Sequence, residues 1–270
     1  MTIRNALHRA AKRLDEAKVP GSQLDSELIM AYVMGRDRAW LLAHDDTELD
    51  QPQLELFDSL INRRENREPL VHITGSREFY GLELQITPDV LTPRVETEQI
   101  VEWAARYAPE NSSLIDIGTG SGALAIAIKH ARPDLTIAAT DVSELALIVA
   151  HRNASELHAE VEFVRSNLFE ATELASRTFQ TVVTNLPYLA DNADLMPEVK
   201  HEPALALFGG PDGLGLYRRF LGQLPRYLAP GGYLFTESDP WQHDALIAAA
   251  TQIGLSPIEQ GYFILGFQMV

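Results

Sequence analysis

Between residues 113 and 184 the chain alternates short apolar runs with longer amphipathic stretches, and this alternation narrows the possible folds more than any other feature. Residues 113–117, 135–139, 161–164 and 179–184 are runs of four to six, rich in β-branched and aromatic side chains, at strand length. Residues 123–130 and 144–157 lie between them with helical spacing. Strand, helix, strand, helix in this order specifies an α/β fold: a parallel sheet with helices on both faces. No internal repeat or low-complexity tract interrupts it.

The preceding segment has a different texture. Ile3, Ala6, Leu7, Ala10, Ala11 and Leu14 fall on one helical stripe that Pro20-Gly21 ends. Ser22 and Asp25 stand at capping spacing ahead of Leu28, Ile29 and Tyr32, with Gly35 as the stop, and Asp50 before Gln51-Pro52 caps a further helix. Residues 1–70 therefore read as a small all-α bundle. From Val71, the alternating pairs Val71/Ile73 and Leu82/Leu84/Ile86, punctuated by Gly75 and Gly81 and closed by Pro88, predict a β-hairpin linker over 71–92. The α/β domain then occupies 93–270.

Composition removes several classes of function. No run approaches the roughly 18 apolar residues of a membrane span, and the N-terminus lacks the pattern of an export signal. The absence of cysteine excludes disulfides, thiolate zinc sites, iron–sulfur clusters and a cysteine nucleophile, and it fits a reducing cytoplasm without requiring one. With 22 Lys plus Arg against 38 Asp plus Glu, the net charge is 22 − 38 = −16, which disfavours sequence-independent binding to phosphate backbones. The eight histidines show no paired ligand spacing, so no metal is expected.

Asp116-Ile117-Gly118-Thr119-Gly120-Ser121-Gly122 lies where a buried strand meets a helix. Glycines there let backbone N–H groups approach a ligand closely. The next strand ends at Asp141, where a carboxylate can take both hydroxyls of a ribose, and the one after it at Ser166-Asn167-Leu168. Three strand tips then form a nucleoside pocket. The Gly-x-Gly-x-Gly spacing differs from the dinucleotide fingerprint and favours S-adenosylmethionine over NAD. Asp141 as a simple cap for the helix near Ser143 is the structural alternative.

Asn185-Leu186-Pro187-Tyr188 follows the fourth strand, at the same edge. The Asn185 side-chain oxygen can accept one hydrogen of a planar –NH2 group, and a backbone carbonyl of the turn can accept the other. Pro187 stiffens the turn, and Tyr188 offers a ring face on which a flat amide or base can stack. The tetrapeptide is thus a holder for a planar, weakly nucleophilic nitrogen.

With these motifs the chain resembles the peptide chain release factor glutamine methyltransferases, the PrmC/HemK family. The resemblance runs through Arg67-Glu68-Pro69 to Gly75, Arg77-Glu78-Phe79-Tyr80-Gly81, Leu91-Thr92-Pro93-Arg94 with Glu96-Thr97-Glu98, Glu202 to Leu207, Gly210 to Leu214, and Leu228-Ala229-Pro230-Gly231-Gly232. It implies a seven-stranded class I, Rossmann-like methyltransferase domain. It also implies a cytoplasmic, monomeric enzyme that uses S-adenosylmethionine to methylate the glutamine of the Gly-Gly-Gln loop of class I release factors, with the helical domain recognising the factor. Carried over by position, Gly118, Thr119, Gly120, Ser121 and Gly122 hold the methionine end of the donor, Asp141 the ribose, and Asn167 and Leu168 the adenine edge. Asn185, which also borders the cofactor, forms with Leu186, Pro187 and Tyr188 the holder of the glutamine amide, and Arg94 lies near the active site.

Three departures from the family pattern stand out. Leu186 replaces a usual proline, which is expected to loosen the turn; Asn167 replaces a common aspartate; and residues 262–267 follow the closing strand only loosely. The tetrapeptide also resembles that of RNA and DNA adenine methyltransferases, which hold the same planar group. The acidic charge and the leading helical domain fit a protein substrate better. A catalytically weak module that binds S-adenosylmethionine and docks on a partner is the other alternative.

Overall fold

The structure, a computed structural model, describes residues 1–270. It divides into two compact units, Met1–Ser76 with Leu195–His201, and Arg77–Asp194 with Glu202–Val270. No helix in either is long and apolar enough to cross a membrane.

The first unit contains α1 (Ile3–Glu16), α2 (Ser22–Met34), α3 (Arg38–Ala43), α4 (Gln51–Glu65) and α5 (Leu70–Thr74). Ile3, Ala6, Ala10 and Leu14 of the α1 stripe are buried against Ile29, Met30, Phe57 and Ile61. Asp50 and Gln53 form the reciprocal cap of α4, and Gly35 ends α2 in a left-handed conformation at φ +59°.

Three local expectations change. The N-cap of α2 is Gly21 rather than Ser22, and Asp25 is drawn inward to pair with Arg64 at 2.7 Å instead of serving the helix end. Asp37 caps α3, an additional short helix, by accepting from the Trp40 N–H. Val71 and Ile73 lie on α5 rather than on a strand, because a three-residue alternation fits a single helical turn equally well. Here Ile73 joins the helical core, and Gly75 at φ +81° closes the turn onto the Val71 carbonyl.

Arg64 is almost wholly enclosed. It meets Asp25 on one side and Glu198 at 3.1 Å on the other, and Glu198 also takes Arg67 at 2.7 Å. Burial by itself would raise the Glu198 carboxyl, but the hydrogen bonds from Arg67 and Arg64 outweigh it and hold the group at about 2. These pairs are why Leu195–His201 belongs to the helical unit although it lies far along the chain.

A hairpin of β1 (Ser76–Phe79) and β2 (Leu82–Gln85) begins at the last residue of the first unit and otherwise belongs to the second, turned at Tyr80-Gly81 with both residues at positive φ. Asn153 ties this hairpin to the α/β core: its Oδ1 accepts from the Gln85 N–H at 2.8 Å, and its Nδ2 donates to the carbonyls of Gln85 and Ser121. The main sheet contains β3 (Ser113–Ile117), β4 (Thr136–Asp141), β5 (Val161–Arg165), β6 (Phe179–Thr184), β7 (Leu228–Glu237), β8 (Leu255–Gln260) and β9 (Ile264–Met269), in the order β5-β4-β3-β6-β7-β9-β8.

β3 to β7 are mutually parallel; the alternation predicts this for β3 to β6, and β7 joins them. β9 runs antiparallel to both β7 and β8, because only three residues separate β8 from β9, too few for a crossover. Around the sheet, α6 (Glu98–Tyr107), α7 (Ala123–Ala131) and α8 (Glu144–Glu156) pack in series, while α9 (Gly215–Gln223) packs on α10 (His243–Gln252). Ile115, Val182, Phe220, Leu234 and Phe267 belong to one core cluster.

Removing Arg64 leaves Asp25 without its buried counter-charge. Arg64→Ala is therefore expected to destabilise the helical unit by about 3–5 kcal/mol in denaturant unfolding, far more than loss of an exposed pair. A change below about 1 kcal/mol would show that Asp25 is solvated or finds another partner.

Candidate active site

Strand register assembles the site. Ile117 of β3 lies opposite Thr140 of β4 and Thr184 of β6, and Thr140 lies opposite Val164 of β5. The residues that follow this row are Gly118, Asp141, Arg165 and Asn185. β3 is the switch point, with the chain winding through β4 and β5 on one side and β6 and β7 on the other; ligands of open α/β sheets bind outside such a point. A cavity of about 390 Å³ opens there.

Ten residues singled out in the sequence line this one cavity: Gly118, Thr119, Gly120, Ser121, Asp141, Asn167, Leu168, Asn185, Leu186 and Pro187. Gly120, at φ +56°, faces open space and exposes backbone to a ligand, whereas Gly122 is a packing glycine that does not line the cavity. A Cβ at Gly122 would come within 2.9 Å of Ile126 and 3.2 Å of Ala150. Tyr188 and Arg94 also lie outside the lining. Arg94 is committed to Glu202 at 2.6 Å, and Glu202 in turn accepts from the Thr92 N–H.

Two carboxylates lie at the glycine turn. Asp141 Oδ2 accepts from the Gly120 N–H at 2.9 Å, and Oδ1 from the Ser143 N–H at 2.8 Å. Burial raises this carboxyl, while the N–H groups of Ser143, Gly120 and Val142 pull it back. Each oxygen keeps acceptor capacity for a hydroxyl. The cap of α8 is Ser143, whose Oγ accepts from the Ala146 N–H, so capping does not account for Asp141.

Asp116 is completely buried beneath the turn. Its Oδ2 accepts from Thr119 Oγ1 at 2.6 Å, and its Oδ1 has no partner. Burial raises the carboxyl to about 7; the Thr119 bond opposes that shift and the Asp141 charge adds to it. The N–H groups of Gly118, Thr119, Gly120 and Gly122 are spent within the chain, on the Thr140 carbonyl, Asp141 and the Thr119 carbonyl. Asp141 at the cavity and Asp116 beneath the turn make acidic surroundings that fit a ligand joining positive charge to a nucleoside, as S-adenosylmethionine does.

The tetrapeptide is braced from behind. Gln242 Nε2 donates to the Tyr188 carbonyl at 2.9 Å, and Leu189 exchanges backbone hydrogen bonds with Leu207 and Gly209. A Cβ at Gly209 would lie 2.5 Å from the Pro187 carbonyl oxygen, and one at Gly213, at φ +72°, would run into that of Tyr188. These glycines let residues 207–213 close onto the turn. Leu186 does not loosen it: the side chain is 3% exposed, sits in the core cluster and packs under Gly118.

Two residues of the site were not assigned a role from sequence. Glu237, at the end of β7, accepts from Thr97 Oγ1 at 2.6 Å and from the Tyr188 hydroxyl at 3.1 Å; Asn185 Nδ2 donates to Thr97 Oγ1 at 3.3 Å. Burial raises the Tyr188 hydroxyl strongly, and the Glu237 charge adds to this, so Tyr188 acts as a neutral donor. An acid that closes an apolar strand was the available signal for Glu237, the same one that marks Asp141.

Comparison with known proteins agrees with this geometry. The family described as PrmC N-terminal domain matches residues 5–75, and the methyltransferase small domain matches residues 102–202. The release factor glutamine methyltransferase of Geobacter sulfurreducens is 38% identical over 256 residues, covering 94% of this chain and 89% of that one. That of Escherichia coli (strain K12) is 34% identical over 263 residues, covering 96% and 94%. Among solved structures, a methyltransferase from Pyrococcus furiosus shares the fold at a TM-score of 0.55 and 19% identity, over 77% of this chain and 98% of that one.

Fold and strand-edge cavity together define an S-adenosylmethionine-dependent methyltransferase. Within that class, the chain belongs to the release factor glutamine methyltransferase family.

Two outcomes follow from the buried acid and the glycine brace. Because Asp116 is raised from 3.8 to about 7, its folded form holds a proton that the unfolded chain releases. Its contribution to stability is complete below about pH 4 and lost as pH rises to about 7, so Asp116→Asn should flatten the fall in unfolding free energy across that window. An unchanged slope would mean that Asp116 is ionised throughout. Gly213→Ala should displace the Tyr188 carbonyl and lower methyl transfer by about tenfold or more in a steady-state assay; wild-type turnover would show that the brace is dispensable.

Proposed function

We propose that this enzyme methylates the side-chain amide nitrogen of the glutamine in the Gly-Gly-Gln motif of class I peptide chain release factors. The observation that carries the reading is the adjacency, on paired strands, of Asn185 and the glycine turn at one cavity. S-adenosylmethionine, when bound, supplies an electrophilic methyl group carried on a sulfonium. Gly118 to Ser121 would receive its methionine end, Asp141 the ribose hydroxyls, and Asn167 and Leu168 the adenine edge.

The chain's task is then to hold an amide nitrogen whose lone pair is delocalised. Asn185 Oδ1 accepts one N–H of the glutamine amide. The second acceptor is a backbone carbonyl of the turn; that of Leu186 is favoured, since Gln242 uses one lone pair of the Tyr188 carbonyl and Gly209 packs on that of Pro187. Both acceptors gain strength as positive charge develops on the nitrogen, and positioning of this kind can supply up to roughly 7–11 kcal/mol in favourable cases. Pro187 and Tyr188 hold the turn, and Arg94 acts indirectly, its guanidinium anchored to Glu202 at 2.6 Å.

The helical unit serves as the recognition surface for the release factor, and the enzyme works as a cytoplasmic monomer without nucleic acid, membrane or metal. The high acidic charge and the match of residues 5–75 to a family-specific domain favour a protein substrate over an adenine base.

The test is transfer of label from S-adenosylmethionine to an unmodified class I release factor, beside the same factor with its Gly-Gly-Gln glutamine replaced and beside ribosomal RNA. Label on the intact factor alone is expected; label on RNA alone would overturn the reading. Asn185→Ala should lower turnover by about 10- to 1000-fold, since a buried amide left without its acceptor costs about 1–3 kcal/mol and loses orientation as well. Asp141→Ala should weaken cofactor binding in calorimetry while leaving the fold intact.

A further inference from the structure

We propose that Thr97 is a positioning residue that decides which end of the Asn185 side chain faces the substrate, with Glu237 as the group that fixes the direction of its hydroxyl. The inference rests on the reading of Asn185 as the amide acceptor and adds how that acceptor is oriented.

The two ends of a carboxamide are nearly the same size and opposite in hydrogen bonding: one accepts, the other donates twice. A substrate –NH2 needs the oxygen. If Asn185 turned its own –NH2 into the cavity, donors would face donors and the amide would not be held. Something must therefore break the symmetry of the Asn185 side chain before the substrate arrives.

The neighbours of Asn185 do so through hydrogen-bond direction. Glu237 is 2% exposed, and its two oxygens accept from Thr97 and from Tyr188. A threonine hydroxyl has a single hydrogen, and that of Thr97 points at Glu237 Oε2 at 2.6 Å. Toward Asn185 it can offer only lone pairs, so the end of the side chain within 3.3 Å must be the donor, Nδ2. With Nδ2 committed on that side, Oδ1 is left for the cavity, which Asn185 and Thr97 both line.

The same carboxylate grips both ends of the tetrapeptide, Asn185 through Thr97 and Tyr188 directly. A buried acid serving only the fold would not need this directionality. Glu237 itself bonds Tyr188, reaches Asn185 only through Thr97, and is not assigned contact with substrate.

The decisive experiment compares Thr97→Val with Thr97→Ser in the full-length enzyme, using an unmodified class I release factor and S-adenosylmethionine, with Asn185→Ala in parallel. Valine keeps the shape and removes the hydroxyl; serine restores the hydroxyl. Thr97→Val is expected to lower kcat by about tenfold or more, while the calorimetric Kd for S-adenosylmethionine stays within about twofold and Thr97→Ser recovers to within about threefold of wild type. Wild-type kcat for Thr97→Val, or equal damage from serine and valine, overturns the proposal, as does a kcat loss matched by lost cofactor affinity and a lowered Tm. An inactive Asn185→Ala beside a fully active Thr97→Val sinks the orientation role alone; an active Asn185→Ala removes the acceptor reading and this inference with it.

Discussion

The parallel pairing of β3 with β4 on one edge and β6 on the other is the constraint on which the rest depends. Because Ile117, Thr140 and Thr184 share one register row, the residues immediately beyond them meet at a single edge although they are separated by as many as 67 positions in the chain. Thr184 Oγ1 locks that row by donating to the Ile117 carbonyl at 2.6 Å. A slip of one residue would invert every side chain beyond it and scatter the site.

At this edge the enzyme keeps three acids that burial disfavours. Asp116, Asp141 and Glu237 all have their carboxyls raised by desolvation, and each is countered by donors from the chain: Thr119, the N–H groups of Gly120 and Ser143, or Thr97 and Tyr188. The donors offset the desolvation only in part, since all three carboxyls stay raised.

The turn that carries Asn185 is held rather than self-supporting. Residues 207–213 close over its carbonyl side through two glycines, Gln242 reaches in from the segment after β7, and Leu186 fills the space beneath Gly118. Rigidity at the tetrapeptide comes from several distant segments converging on it.

Local pattern was enough for the α/β fold and for the strand edge at which Gly118 to Ser121, Asp141 and Asn185 to Pro187 meet, because strand length, helical spacing and turn chemistry are written within a few residues. It was not enough for α5, where three alternating residues fit two structures, or for α2, where Asp25 abandons the helix end for Arg64 39 positions away. Nor did it reveal what Leu186 does, since a buried leucine and an exposed one are the same letter. The sequence by itself determined which residues stand at the strand ends and what chemistry they own. Only the tertiary structure decided which of them share a cavity, that Asp116 loses water and Arg94 turns to Glu202, and that Thr97 and Glu237 set the direction of Asn185, because hydrogen-bond direction and desolvation are properties of neighbours that the chain brings together only by folding.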